Sequence, residues 1–149
     1  MAIVMQVSFD LDGTLIPYNN EFPTEKRSWW AKLLGIEPIR KGTKTLIKTL
    51  QSQGNEVHIY TTSLRSKPYI RRMFRYYGIK IGKIITQKEN EYTLQSLKIS
   101  ASKYPKAFGF DLHIDDAQGV QSEAEQYDFK VIIISPNDIF WIEKILKLL

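Results

Sequence analysis

Cysteine does not occur anywhere in this chain of 149 residues. That absence excludes disulfides, thiolate zinc sites, iron–sulfur clusters and any catalytic thiol. Long apolar runs are missing too, since none approaches the roughly 20 residues needed to span a bilayer. The run from Ala2 to Phe9 is too short for a signal-peptide core with its flanks and stops abruptly at Asp10. A cytoplasmic location with no membrane partner is therefore expected. There is no internal repeat, low-complexity tract or linker. The only P-loop-like string, Gly42-Thr43-Lys44-Thr45, lacks the Gly-x₄-Gly-Lys spacing and has no strand before it. What remains is an ordinary globular composition, 43% hydrophobic and 25% charged, which fits one domain around one core and excludes long disorder. Lys and Arg outnumber Asp and Glu by 21 to 16, for a net charge of +5. A basic surface concentrates anionic ligands, phosphate esters and nucleic acids alike.

Along the chain, Ile3 to Phe9 reads as a buried strand that ends in the turn Asp-Leu-Asp-Gly. Pro17 to Pro23 is a polar loop. Thr24 is expected to cap a short helix over Glu25 to Leu34, stopped by Gly35 and Pro38. A second helix starts at Thr43 and stops at Gly54. Glu56 to Tyr60 is a second strand, and Ser66 or Pro68 opens a helix that ends at Gly78. Lys83 to Thr86 is a third strand. A short helix near Tyr92 to Leu97 and an irregular loop through Pro105 and Gly109 follow. Asp111 to Ile114, Val120 to Tyr127, Lys130 to Ile134 and a helix from Asp138 complete the chain as strand, helix, strand, helix. Such alternation predicts an α/β fold with three layers: a central parallel five-stranded sheet between helices, Rossmann-like. In such sheets function gathers beyond the C-terminal ends of the strands, where Asp10, Asp12, Thr61, Asp115 and Asp116 fall.

Asp10 and Asp12 stand two residues apart directly after a buried strand, with Gly13 allowing a tight turn. Asp115 and Asp116 end a second apolar strand. Each aspartate alone reads as a helix cap. Four carboxylates on one rim of a basic protein instead require a cation or shared protons. A hard divalent ion with oxygen ligands, Mg²⁺, suits them.

The string Val7-Ser-Phe-Asp10-Leu-Asp12-Gly-Thr14-Leu resembles the first motif of the haloacid dehalogenase (HAD) superfamily. Val57-His-Ile-Tyr-Thr61 is similar to its second motif, and Leu112-His-Ile-Asp115-Asp116 to its fourth. The resemblance covers residues 4 to about 120, and the fifth strand and last helix complete the expected core. It implies an aspartyl-phosphate phosphatase. In it, Asp10 is the nucleophile and Asp12 the general acid and base. Thr61 holds a phosphoryl oxygen, and backbone N–H groups after Asp10 assist. The resemblance places Mg²⁺ on the Asp10 side chain, the Asp12 backbone carbonyl and Asp115, with Asp116 orienting metal-bound water. Asp12 favours phosphatases, or less often phosphomutases, because ATPase-like members carry Thr there and dehalogenases lack the Asp. A non-catalytic binding or regulatory member is the alternative, against which all four aspartates speak.

The family's third motif is a lysine, for which Lys98, Lys103 and Lys106 are candidates. The run Lys103-Tyr-Pro-Lys106 up to Asp115-Asp116 is similar to the short approach in 5′(3′)-deoxyribonucleotidases. Lys103 is preferred and Lys106 is next, a second substrate contact. Lys98 has a spacing nearer that of small C-terminal-domain protein phosphatases. Residues from about 17 to 40 leave room for a minimal cap insertion only, so an open site is expected, able to admit large phosphorylated substrates. Thr62, Arg65, Lys67 and Tyr69, just past the second motif, are further candidate contacts. Tyr18, Trp29 and Trp30 lie in the insertion, and one of the two tryptophans is expected to face the core. A nucleic-acid end is a second admissible substrate, though no recognition motif supports it. His58 and His113 read as satisfied interior histidines, and Arg71, Arg72 and Arg75 as the wet face of a helix.

Overall fold

The computed structural model describes residues 3–149; Ala2, at the head of the N-terminal apolar run, lies outside them. Five parallel strands form one sheet, β1 (Gln6–Phe9), β2 (Glu56–Tyr60), β3 (Ile84–Ile85), β4 (Leu112–Asp115) and β5 (Val131–Ile133). They run in the order β3-β2-β1-β4-β5, so the first strand is central. Six helices connect or follow them: α1 (Trp29–Leu33), α2 (Thr43–Ser52), α3 (Lys67–Tyr76), α4 (Gln87–Ser96), α5 (Gln118–Tyr127) and α6 (Trp141–Leu148). The fold is the expected α/β arrangement with a central parallel sheet. Among the described residues, no helix is long and apolar enough to cross a membrane.

Side chains alternate across a strand, and here the two faces of the sheet differ in kind. Val7 and Phe9, Val57 and Ile59, Leu112 and Ile114, and Ile132 and Ile134 all join the main core. With them pack Leu46, Ile47 and Leu50 of α2, Ile70, Met73 and Phe74 of α3, and Trp141 and Ile145 of α6. The intervening positions are Ser8, Asp10, His58, Tyr60, His113 and Asp115, all buried and all bearing polar atoms. Ser8 pairs in register with both His58 and His113, so this polar strip crosses three strands. Two small clusters cover that side, one around Tyr60, Ile85 and Phe110, the other around Val120, Ala124 and Phe129.

Three elements depart from expectation. The first helix begins at Trp29 rather than Glu25, and Ser28, not Thr24, caps it by accepting from the Ala31 N–H. Thr24 instead forms an antiparallel bridge with Arg40, and the Glu25 carboxylate accepts the Gly42 N–H at the start of α2. Tertiary pairing thus holds residues 24 and 25 extended. Neither Trp29 nor Trp30 reaches the core; they are 74% and 47% exposed, while Ala31 takes the inward position. α4 starts five residues before Tyr92, and the last helix starts three residues after Asp138, whose carboxylate accepts the Phe140 N–H in a preceding turn.

Candidate active site

The turn after β1 is wound tightly, with Leu11 O accepting from the N–H groups of Thr14, Leu15 and Ile16. Gly13 has φ +79°, and a Cβ there would lie 2.3 Å from Asp116 Oδ2. Only glycine fits, both for backbone conformation and for room. Gly13 and Thr14 spend their N–H groups inside this turn, on Ile16 O and Leu11 O. Thr14 Oγ1 lies 3.3 Å from Asp10 Oδ2 and 3.1 Å from Asp116 Oδ1, tying the two strand ends together.

Asp10, Asp115 and Asp116 can each offer an oxygen within 4.8 Å of the others'. Lys103 reaches them from the loop after α4. Its Nζ donates to Asp10 Oδ1 at 2.8 Å, Asp115 Oδ2 at 2.9 Å and Tyr60 O at 3.0 Å. The side chain is almost wholly buried. Burial alone would lower the Lys103 pKa, but the Asp10 and Asp115 charges raise it above the usual lysine value. Lys106 lies elsewhere, half-exposed with its Nζ 3.5 Å from Asp128, and Lys98 is exposed at a left-handed backbone position. Of the three candidate lysines, Lys103 alone is brought to Asp10.

The carboxylates differ in their surroundings. Burial pushes the Asp10 carboxyl up to about 6, the Lys103 ammonium opposing and the Asp115 charge assisting. Burial acts on Asp115 as well, but is overcome by hydrogen bonds from His113 and from the Ala117 N–H and by the Lys103 charge, so its pKa falls below the usual range. Burial raises Asp116, with the Asp115 charge adding to it. One buried ammonium therefore faces three carboxylates, an imbalance that a hard divalent cation with oxygen ligands fits.

His113 belongs to this cluster. Its Nε2 is 2.9 Å from Asp115 Oδ2 and 3.3 Å from Lys103 Nζ, and its Nδ1 is 2.8 Å from Ser8 Oγ. Burial and the Lys103 charge lower its pKa, which favours the neutral ring, hydrogen-bonded through Nε2 to Asp115 and through Nδ1 to Ser8. The apolar neighbours of His113 in sequence hide this. The available signal was period two, which puts His113 on the same strand face as Asp115. His58 fills both its nitrogens elsewhere, with Gln6 Oε1 and the Lys83 N–H, and stacks on Phe110.

A second layer positions the lysine loop. The Tyr60 phenol accepts the Tyr104 N–H and donates to Asn90 Oδ1, Asn90 Nδ2 donates to Ser102 O, and the Glu123 carboxylate accepts the N–H groups of Ser102 and Lys103.

Asp12 stands on the open side and is partly exposed. Arg65 grips it with two hydrogen bonds of 2.9 and 3.0 Å, and the same guanidinium holds the Glu37 carboxylate at 2.7 and 2.8 Å. Tyr69 also donates to Glu37 Oε2. Residues 17–40 contain a single short helix, α1, and Glu37 from this segment leans over Asp12 by way of Arg65. Thr61 is buried, its Oγ1 accepting the Ser63 N–H, while Thr62 is exposed. Ser63 Oγ has no hydrogen-bond partner among the described residues.

No protein-family description matches the sequence, and no curated protein matches it either. Solved structures do share the fold. A predicted HAD-like family hydrolase from Porphyromonas gingivalis superposes with a TM-score of 0.55 at 15% identity, over 99% of this chain and 98% of the other. A predicted phosphoglycolate phosphatase from Haemophilus somnus 129pt gives 0.52 at 14%, over 87% and 84%. A chain of the Pnkp1/Rnl/Hen1 complex gives 0.53 at 18%, over 88% of this chain but 45% of that one, so the present chain spans less than half of that relative's length. The fold is HAD-like.

Proposed function

We propose that the chain is a Mg²⁺-dependent phosphohydrolase acting on a phosphate monoester through a phosphorylated Asp10. The supporting observation is the meeting of Asp10, Asp115, Asp116 and the buried Lys103 at the C-terminal edge of two adjacent parallel strands. The ion would be held by Asp10, Asp115 and Asp116, with the Asp12 backbone carbonyl. When bound, Mg²⁺ supplies charge neutralisation and polarises the phosphoryl oxygens.

In this reading an Asp10 oxygen attacks phosphorus while the bond to the leaving oxygen breaks. Asp12 gives that oxygen its proton. Asp12 then takes a proton from water, whose oxygen attacks phosphorus, freeing inorganic phosphate and the Asp10 carboxylate. Lys103 keeps Asp10 aimed and compensates the added charge. Thr61, Thr62 and Ser63 line the approach to the phosphoryl oxygens. Arg65 is a substrate contact: a phosphate arriving beside Asp10 competes with Asp12 for the guanidinium and frees Asp12 to take up a proton from solvent, which it then gives to the leaving oxygen. Lys106, remote and paired with Asp128, is given no part.

The test is phosphate release from an aryl phosphate, with and without Mg²⁺. Wild type should require the ion, and Asp10→Asn should lose at least a thousandfold in turnover. Equal rates for the two proteins would sink the assignment. Retention of Asp12 together with the cluster of Asp10, Asp115, Asp116 and Lys103 disfavours a non-catalytic binding protein.

A further inference from the structure

The chain's positive charge is not spread evenly. Residues 57–88 carry eight Lys and Arg and no Asp or Glu, so the remainder of the sequence is net negative. This basic stretch leaves the site along α3. Arg65 is on Asp12, and Lys67, Arg71, Arg72 and Arg75 follow, all on the exposed surface of α3 while Ile70, Met73 and Phe74 face the core. Lys67 pairs with Glu89. Among the described residues Arg71, Arg72 and Arg75 have no carboxylate at ion-pair distance. Arg71 is braced on the carbonyls of Ile81 and Gly82, and Arg72 lies over the Tyr69 ring at 5.7 Å. Two shallow grooves share Arg71 and Arg75, and one of them runs back to Ser66 beside the site. A merely solvated helix face mixes signs or pairs its cations; beyond Lys67 this one does neither.

Aromatic surface lies along the same helix. Tyr69, Arg72 and Tyr76 are spaced to share one flank of α3. Trp30 packs edge-on against Tyr76 at 5.5 Å, which sets this exposed indole beside that flank. Rows of unpaired arginine next to exposed aromatic rings are what single-stranded nucleic acids bind, phosphates to the cations and bases to the rings. At 1.5 Å per residue, Lys67 to Arg75 spans about 12 Å, enough for roughly two or three backbone phosphates.

We infer that the exposed face of α3, with Trp30 at its flank, binds the phosphodiester backbone of a single-stranded nucleic acid whose phosphorylated end enters the site at Asp10. The identity of the reacting end rests on the phosphatase reading above; binding to the face does not. A phosphopeptide would need only one or two of these cations and would gain nothing from their periodic placement.

Fluorescence anisotropy in EDTA, with end-phosphorylated oligonucleotides of one to six nucleotides in DNA and RNA form, tests this on the full chain. Affinity should climb over the first three or four nucleotides with at least one sugar type and weaken with salt. Arg71→Gln/Arg72→Gln/Arg75→Gln should bind the hexamer at least tenfold more weakly, flatten the length dependence and reduce the salt slope by about two, since each single-strand phosphate contact contributes about 0.7. Arg72→Glu/Arg75→Glu, which spares the Arg71 contacts to backbone, should behave likewise, and the triple Lys variant should restore binding. Affinity independent of length, an unchanged slope, or tighter binding of an equally charged phosphopeptide would overturn the inference. Length-dependent binding without any aryl phosphate hydrolysis would overturn the phosphatase reading alone. Hydrolysis without length dependence would overturn this inference alone.

Discussion

At the scale of single residues, Lys103 is fully committed. An ammonium has three protons, and Asp10, Asp115 and the Tyr60 carbonyl take all three. Lys103→Ala should abolish measurable turnover of an aryl phosphate, a loss that Lys106→Ala should not share; the opposite ranking would show that the wrong lysine has been assigned. The two aspartates that share Lys103 should affect stability in opposite directions. Asp10 is raised to about 6 in the fold, above its unfolded value, so its charge is a burden that is absent below about pH 4 and complete above about pH 7. In EDTA at pH 7.5, Asp10→Asn should therefore raise unfolding free energy by roughly 1–3 kcal/mol, with the gain fading as pH falls through 6 to 4. Asp115 is lowered, so its stabilising contribution is present above the unfolded carboxylate pKa and is lost on acidification. Asp115→Asn should cost about 2 kcal/mol or more at pH 7.5. Urea titration of both variants across pH measures this, and like signs would contradict the assignment. The motif aspartates were legible in sequence because their spacing is local. The part played by His113 was not, because its partners Ser8 and Lys103 come from other segments, 105 and 10 residues away.

At the scale of elements, strands and helices with a strong apolar period were easy to read; α2, β2 and α3 begin within a residue of expectation. The misplaced ones have weak or competing signals. α4 buries only Asn90 and Leu94, so periodicity does not locate its start, and the polar stretch Gln87 to Glu91 carries no apolar signal. The 17–40 segment is held by a residue whose function the sequence did not reveal. Arg40 is almost fully buried, its guanidinium between the rings of Phe22 and Trp141 at 4.5 and 4.6 Å. It donates to the carbonyls of Thr14, Ser135, Pro136 and Asp138. One side chain thus pins the Asp10 turn, the insertion and the loop before α6. Arg40→Leu should destabilise by about 2–4 kcal/mol, because four carbonyls lose their donor. Arg40→Lys should recover less than half, since a point charge cannot fork to them; chemical denaturation decides it.

At the scale of the whole molecule, the alternation of strands and helices was enough to predict the layers and the parallel sheet. It was not enough to show that the sheet has one greasy face and one polar face, since that depends on register between strands far apart in sequence. The uneven charge across the three carboxylates also has a global readout. On the proposed reading Mg²⁺ finds an assembled site in the folded chain alone, so millimolar Mg²⁺ should raise the melting temperature by several degrees, through a linkage of about 1–3 kcal/mol. The rise should disappear in Asp115→Asn; an equal rise in that variant would place the ion elsewhere. The polar face has a consequence for how the molecule breathes. The layer of α2, α3 and α6 is fastened by the large core, whereas α5 gives two residues to a small cluster of three and α4 buries only Asn90 and Leu94, neither of them in an apolar cluster. Cooperative opening starts where apolar contact is thinnest, so amide hydrogens of α4, α5 and the 97–104 loop should exchange sooner than those of α2 and α3. The segment that delivers Lys103 is therefore the part of the fold that detaches at least cost, and the cohesion of the site depends on its own ion pairs more than on the core beneath the opposite face.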